Sequence, residues 1–303
     1  MDASVSGYTE HLTSADLHLL AGAAELPDGA DITDPDLLEA LLADPRVFEA
    51  VFGTSGDVVL VSPFLAFGVA VHRAVLDLAG MDYLPERSGM RQVVPVFDTP
   101  ELRDFLCSPQ RRLFLAELLA SFTRVASGRY REPSRWDRPG TPGARVPDGG
   151  SRSRSGPSRT RRFSELDPVR LAGLLDVAPE ESRPGIYRRL GDVSLFLTGV
   201  FPDYSVMHAL GPVDVSRLLR SARVPADERE SLQVAPSLDL LEYLGARWYR
   251  AALAAAPVHT APLTVVGEVA GRFRQARRVL NHLADRYLVG PSASWFPRPG
   301  TSG

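Results

Sequence analysis

The sequence predicts an all-α protein: a helical bundle in two blocks separated by a disordered Arg/Gly/Pro/Ser-rich linker. Three observations predict it. A capping residue followed by proline occurs six times, at Asp34-Pro35, Asp44-Pro45, Ser62-Pro63, Thr99-Pro100, Ser108-Pro109 and Asp167-Pro168. The small polar side chain can accept a bond from an orphan N–H of the first turn, and proline suits the first helical position, where its missing N–H goes unused. Apolar residues then recur in steps of three and four, and few stretches alternate with a period of two. Between Gly128 and Arg162 the composition changes abruptly, with 16 of 35 residues being Gly, Pro or Ser.

The N-terminal block covers 1–127. After Pro63, Leu65, Val69, His72, Val75 and Leu76 follow a helical stripe, and Gly80 is placed to close it. Val93 to Phe97 is the best strand candidate and is read as a connector. After Pro109, Leu113, Leu115, Leu118, Leu119 and Phe122 line one side. The linker, 128–162, cannot bury enough apolar surface to offset its ordering entropy. It holds ten arginines against Glu132, Asp137 and Asp148, a net charge of +7 that leaves −10 for the rest of the chain. It joins two acidic bodies or loops out of one.

The C-terminal block covers 163–290. Leu171 to Leu190 places apolar residues where a helix-turn-helix wants them, but Pro184-Gly185 falls inside the would-be recognition helix and excludes that motif. A helix around Leu238 to Ala255 puts Leu241, Leu244, Trp248 and Ala252 on one face. The last helix carries a seam of Val266, Val269, Phe273, Ala276, Leu280, Leu283 and Tyr287, about three heptads. Its opposite face holds Arg272, Arg274, Arg277 and Arg278, read as the solvated back of a bundle helix, with a dimerising or ligand-facing role as the alternative. Residues 291–303 are expected to form a flexible tail.

Composition removes several chemistries. All 34 basic residues are arginine, so a P-loop, a protein kinase site and a pyridoxal Schiff base cannot be built. Asn occurs once and Ile twice, as a bacterial genome of high GC content would impose. The single Cys107 allows no internal disulfide or cysteine-rich zinc site, and its apolar neighbours predict a buried, inert thiol. Met1 to Leu20 lacks the basic start and apolar core of a signal peptide. The longest apolar run, Val58 to Val71, is interrupted by Ser62, Pro63 and Gly68, too short to span a bilayer. No membrane association and a cytoplasmic location are expected.

No catalytic template fits: H-E-x-x-H, G-x-S-x-G, G-x-G-x-x-G and the di-iron Glu-x-x-His are all missing. His282 and Asp285 lie three apart, but two ligands do not define a metal site. No catalytic, cofactor-binding or metal-ligating residue is therefore assigned, and no cofactor is expected. Two candidate sites remain. The run Ser151-Arg152-Ser153-Arg154-Ser155, with Arg159, Arg161 and Arg162, offers guanidinium forks to an anionic partner such as nucleic acid. In the C-terminal block, Arg189 and Asp192 could line a ligand pocket with Tyr243 and Arg247.

The stretch Tyr187 to Pro202, reading YRRLGDVSLFLTGVFP, resembles an RLGD…LFLTGVFP segment of an uncharacterised family of helical proteins from high-GC bacteria. The resemblance spans about Phe163 to Leu288 and implies an all-helical fold, with no activity or catalytic residue attached. Regular helices, no recognisable chemistry and one long charged linker together predict a non-enzymatic interaction or scaffold protein. A protein partner or self-association is expected. An arginine–aspartate ligand pocket is the alternative, and nucleic-acid binding through the linker a further one.

Overall fold

The computed structural model describes residues 3–27, 30–53, 61–87, 93–123, 127–131, 160–164, 166–207, 210–290 and 293–296. Among these are fifteen α-helices, and the fold is all-α. The first seven are α1 (Ala3–His11), α2 (Ser14–Ala23), α3 (Pro35–Ala43), α4 (Pro45–Phe52), α5 (Pro63–Ala79), α6 (Thr99–Leu106) and α7 (Pro109–Ser121). Then follow α8 (Pro168–Leu174), α9 (Arg183–Val200), α10 (Pro202–Met207), α11 (Pro212–Ser221), α12 (Ala226–Gln233), α13 (Ser237–Ala255), α14 (Ala261–Gly271) and α15 (Phe273–Leu283).

Five of the six cap–proline pairs start helices as expected. Asp34 accepts from the Leu37 N–H at 3.0 Å, Asp44 from Arg46 at 2.7 Å and Ser62 from Leu65 at 3.1 Å. Ser108 accepts from Arg111 at 3.4 Å, and Asp167 from Val169 at 3.0 Å and Arg170 at 3.2 Å. Thr99-Pro100 is the exception. There the helix begins one residue early, with Asp98 as a cap that makes no capping bond. The Asp98 carboxylate is bound by Arg278, and the Thr99 hydroxyl donates to the Asp82 carbonyl at 3.2 Å.

Two helices are enclosed on nearly every side. In α5 every residue from Phe64 to His72 is buried, and the helix packs against α3, α4, α6, α7 and α15. Leu76, expected on its apolar stripe, is 47% exposed. In α9 every residue from Leu190 to Val200 is buried against α13 and α15, and Pro184 sits in its first turn, where it costs no hydrogen bond. Close approach of α9 and α13 requires two glycines. A Cβ at Gly191 would overlap the Tyr249 ring of α13, and one at Gly245 would overlap Ser194 of α9 as well as Phe273 of α15.

The last helical stretch differs from the expected single helix. Gly271 ends α14, and Arg272, at φ −126° and ψ 33°, leaves the helical region before α15 begins. A π-helical turn, Ala284–Leu288, follows α15. The seam is nonetheless continuous: Val266, Val269, Phe273, Ala276, Leu280 and Leu283 are all buried. Helix α15 touches α9 on one side and α5 and α6 on another, so it stitches the two blocks together. Buried residues from Tyr8 to Phe296 form one contiguous cluster.

Three strand pairs decorate this body. β1 (Leu84–Arg87) and β2 (Val93–Val96) form an antiparallel hairpin, so the Val93–Phe97 connector is a strand as far as Val96. β3 (Ser127–Arg131) pairs with β4 (Thr160–Ser164), with Arg131 opposite Thr160. The two ends of the arginine-rich stretch therefore lie side by side. β5 (Val289–Gly290) pairs with β6 (Ala293–Ser294). Beyond it Phe296 is buried, stacked on Phe67 at 5.4 Å and edge-on to Phe196 at 5.0 Å; residues 297–303 of the expected flexible tail lie outside the described residues. Two buried aromatic contacts outweigh the ordering entropy that a terminus otherwise keeps. No described helix is long and apolar enough to cross a membrane.

Candidate interaction surface and the ion pairs beneath it

The residues proposed for a C-terminal pocket divide between separate networks. Asp192 is buried in α9 and accepts from Arg188 Nε at 3.0 Å and from the Tyr249 hydroxyl at 2.8 Å. The helical pair is thus Arg188–Asp192, four residues apart, rather than Arg189–Asp192. Burial and the adjacent Asp192 charge push the Tyr249 hydroxyl well above its ordinary range, so it stays a donor. Arg189 turns toward α7, where it donates to Ser121 Oγ at 3.1 Å and lies 4.1 Å above the Phe122 ring. Tyr243 donates to Glu228 and accepts from Arg247 Nη1 at 3.2 Å. Arg247 also donates to the carbonyls of Ala222 at 3.2 Å and Arg223 at 2.9 Å, closing the C-terminus of α11. Of the four, the hydrogen bonds bring together Tyr243 and Arg247.

Arginine plays the same capping part elsewhere. Arg111 donates to the Phe105 carbonyl at 2.7 Å and Arg112 to the Leu106 carbonyl at 2.7 Å, both at the end of α6. Arg250 donates to the Ala270 carbonyl of α14 at 3.2 Å. A planar fork reaches the unpaired carbonyls of a last turn and favours their partial negative charge. Cys107, at the end of α6, is exposed, not buried as expected, because the turn faces its side chain outward while Phe105 and Leu106 point in.

The basic back of α15 is solvated only at Arg272 and Arg274. Arg277 is 3% exposed, and it pairs with Glu86 of β1 and, at 2.6 Å, with Glu242 of α13. Arg278 reaches Glu86 at 2.8 Å and also binds Asp98. Arg274 keeps an exposed side chain, bonded to Glu242 at 2.7 Å. Arg272, on the hinge between α14 and α15, pairs with Asp104. The carboxylates that bury this face lie far away in sequence, so helical periodicity could not reveal them. His282 does not share a site with Asp285. It bonds Asp77 at 3.1 Å, and Asp77 also accepts from Tyr287, whose hydroxyl is pushed up to about 12 by burial and by that bond. Burial holds His282 below its ordinary range despite Asp77. Asp285 instead pairs with Arg87, and burial raises its carboxyl. Among the described residues no group of three or more His, Cys, Asp or Glu is placed to hold a metal.

The hairpin above Arg277 and Arg278 carries a surface that the sequence reading missed. Its inner face buries Leu84 and Glu86. Its outer face lines a shallow depression of about 490 Å³ with Tyr83, Pro85, Val93, Pro95 and Phe97. Phe97 is 72% exposed, Val93 58% and Tyr83 50%. The Tyr83 and Phe97 rings stand 5.9 Å apart, tilted by 48°. Apolar residues at every second position on both arms, 83 and 85 then 93, 95 and 97, were the available signal.

The register removes donors from the hairpin's edges. Pro85 lies opposite Pro95, and two residues without N–H groups cannot form a hydrogen-bonded pair. Their nitrogens therefore face outward and offer no donor to an added strand. The Arg87 N–H, next along that edge, is taken by Asn281 Oδ1 at 3.1 Å. On the β2 edge Pro95 offers no donor, while Val93, opposite Arg87, keeps an outward N–H.

Of the candidate anion-binding arginines, Arg152, Arg154 and Arg159 lie outside the described residues. Arg161 and Arg162 lie in β4, opposite Tyr130 and Arg129. No family model, curated protein or solved structure matches the chain.

Proposed function

We propose that this chain is a non-enzymatic helical interaction protein of a bacterial cytoplasm, with the outer face of the β1–β2 hairpin as its docking surface. One observation carries the reading. Five apolar side chains share a solvent-facing depression, on a hairpin whose reverse side is anchored by the Glu86 pairs to Arg277 and Arg278. Contiguous exposed apolar patches on a soluble protein mark contact sites, and a rigid backing lowers the entropy lost on docking. Among the described residues, Arg188, Arg247 and Arg277 bond carboxylates or cap helices.

The test is a photo-activatable phenylalanine analogue in place of Phe97, with the same probe at exposed Val234 as control. Cross-links from position 97 to a discrete protein, or to a second copy, should be lost when Val93→Asp is added. Cross-links that are equal at the two positions, or indifferent to Val93→Asp, would remove the hairpin as a docking surface.

A further inference from the structure

We infer that the hairpin's outer face takes a proline-rich partner segment in the polyproline II conformation, with a basic residue beside it. The inference rests on the interaction reading above and names the occupant.

Four features select this chemistry. The β1 edge offers an added strand no donor, since Pro85 has no N–H and the Arg87 N–H is taken, and Pro95 interrupts the β2 edge, which favours a ligand that needs no backbone pairing. The exposed area of the five side chains is on the order of 500 Å², below the roughly 800 Å² per partner of a stable copy-to-copy interface and ample for a short peptide. Tyr83 and Phe97 flank the paired prolines as two tilted rings, a surface onto which proline rings pack. A polyproline II segment makes no internal hydrogen bonds, so its carbonyls are free, and the half-exposed Tyr83 hydroxyl makes no hydrogen bond among the described residues. Charge completes the match. Asp82, next to Tyr83, is exposed and its carboxylate has no partner among the described residues, so it can hold a flanking arginine or lysine.

The experiment is fluorescence anisotropy on the full chain with three labelled probes: decaproline, decaproline with an added arginine, and a Gly-Ser peptide of that length with the same arginine. The arginine–decaproline probe should bind saturably, decaproline more weakly and the Gly-Ser probe not at all. Phe97→Ala should weaken binding about tenfold. Tyr83→Phe, which keeps the ring, should weaken it by roughly threefold, the loss of one exposed hydrogen bond. Asp82→Asn should abolish the advantage of the arginine. Equal binding of the proline and Gly-Ser probes, no binding at all, or indifference to Phe97→Ala overturns the inference. So does binding that emerges only when residues 132–159 are deleted, which would make the chain its own occupant, or a dimer in sedimentation that Phe97→Ala dissolves. If the peptides fail while position 97 still cross-links a partner, the occupant is wrong and the docking surface stands; if both fail, both fall.

Discussion

The two faces of the β1–β2 hairpin are built from alternate residues of the same few positions and do opposite things. The inner residues, Leu84 and Glu86, are buried, and Glu86 is held by two arginines. The outer residues, Tyr83, Pro85, Val93, Pro95 and Phe97, are apolar and exposed. Here a charged residue, Glu86, points in beside Leu84 while five apolar residues point out, against the usual tendency. The inner face is explained by pairing, since a buried carboxylate is tolerated when paired; the outer face is the one the proposed docking would cover.

The comparison predicts a steep contrast in stability. Glu86→Ala leaves the buried Arg277 guanidinium with one carboxylate fewer and should cost about 3–5 kcal/mol in denaturant unfolding. A loss below about 1 kcal/mol would show that water reaches the inner face. An intermediate effect comes from pH. Burial lowers the folded-state pKa of both His282 and His72 below the ordinary 6.5, so the unfolded chain binds protons more readily. The stability they contribute is complete above that value and is lost as pH falls through the folded pKa values. Unfolding midpoints should therefore drop from pH 7.5 toward pH 5. His282→Gln should shrink that drop and leave the part due to His72.

Smaller effects belong to the outer face. Pro95→Val returns an outward N–H to the edge of β2 and should increase light scattering at high concentration, with little change in unfolding. Phe97→Ser should leave stability within about 0.5 kcal/mol of the parent while removing docking. Equal losses of stability from Phe97→Ser and Glu86→Ala would erase the distinction between the faces.

Much of the fold was legible from local chemistry. The cap–proline pairs located five helix starts, and the seam of α13 read correctly because it depends on residues within one helix, while the last seam kept its buried side across the break between α14 and α15. The Arg188–Asp192 and Tyr243–Arg247 pairs are also local, four residues apart on a helix face. What escaped the sequence is nonlocal. Glu86 and Arg277 are 191 positions apart, and only the packing of the hairpin on α15 brings them together. Strand β1 contains a proline and four residues, too little for a period of two to stand out. The pocket of four residues failed to assemble because Arg189 and Asp192, three apart on α9, point to different neighbours, α7 and α13.

Pairing of Arg131 with Thr160 has a practical consequence for redesign. Partners across an antiparallel pair lie only about 4.5–5.5 Å apart, a gap that a two-residue Asn-Gly turn closes. The 28 residues between them can thus be swapped for a minimal turn, or for a guest domain with adjacent termini, without changing the spacing of the helices on either side. The chain carries a built-in splice point, and its longest low-complexity stretch is an exchangeable cassette.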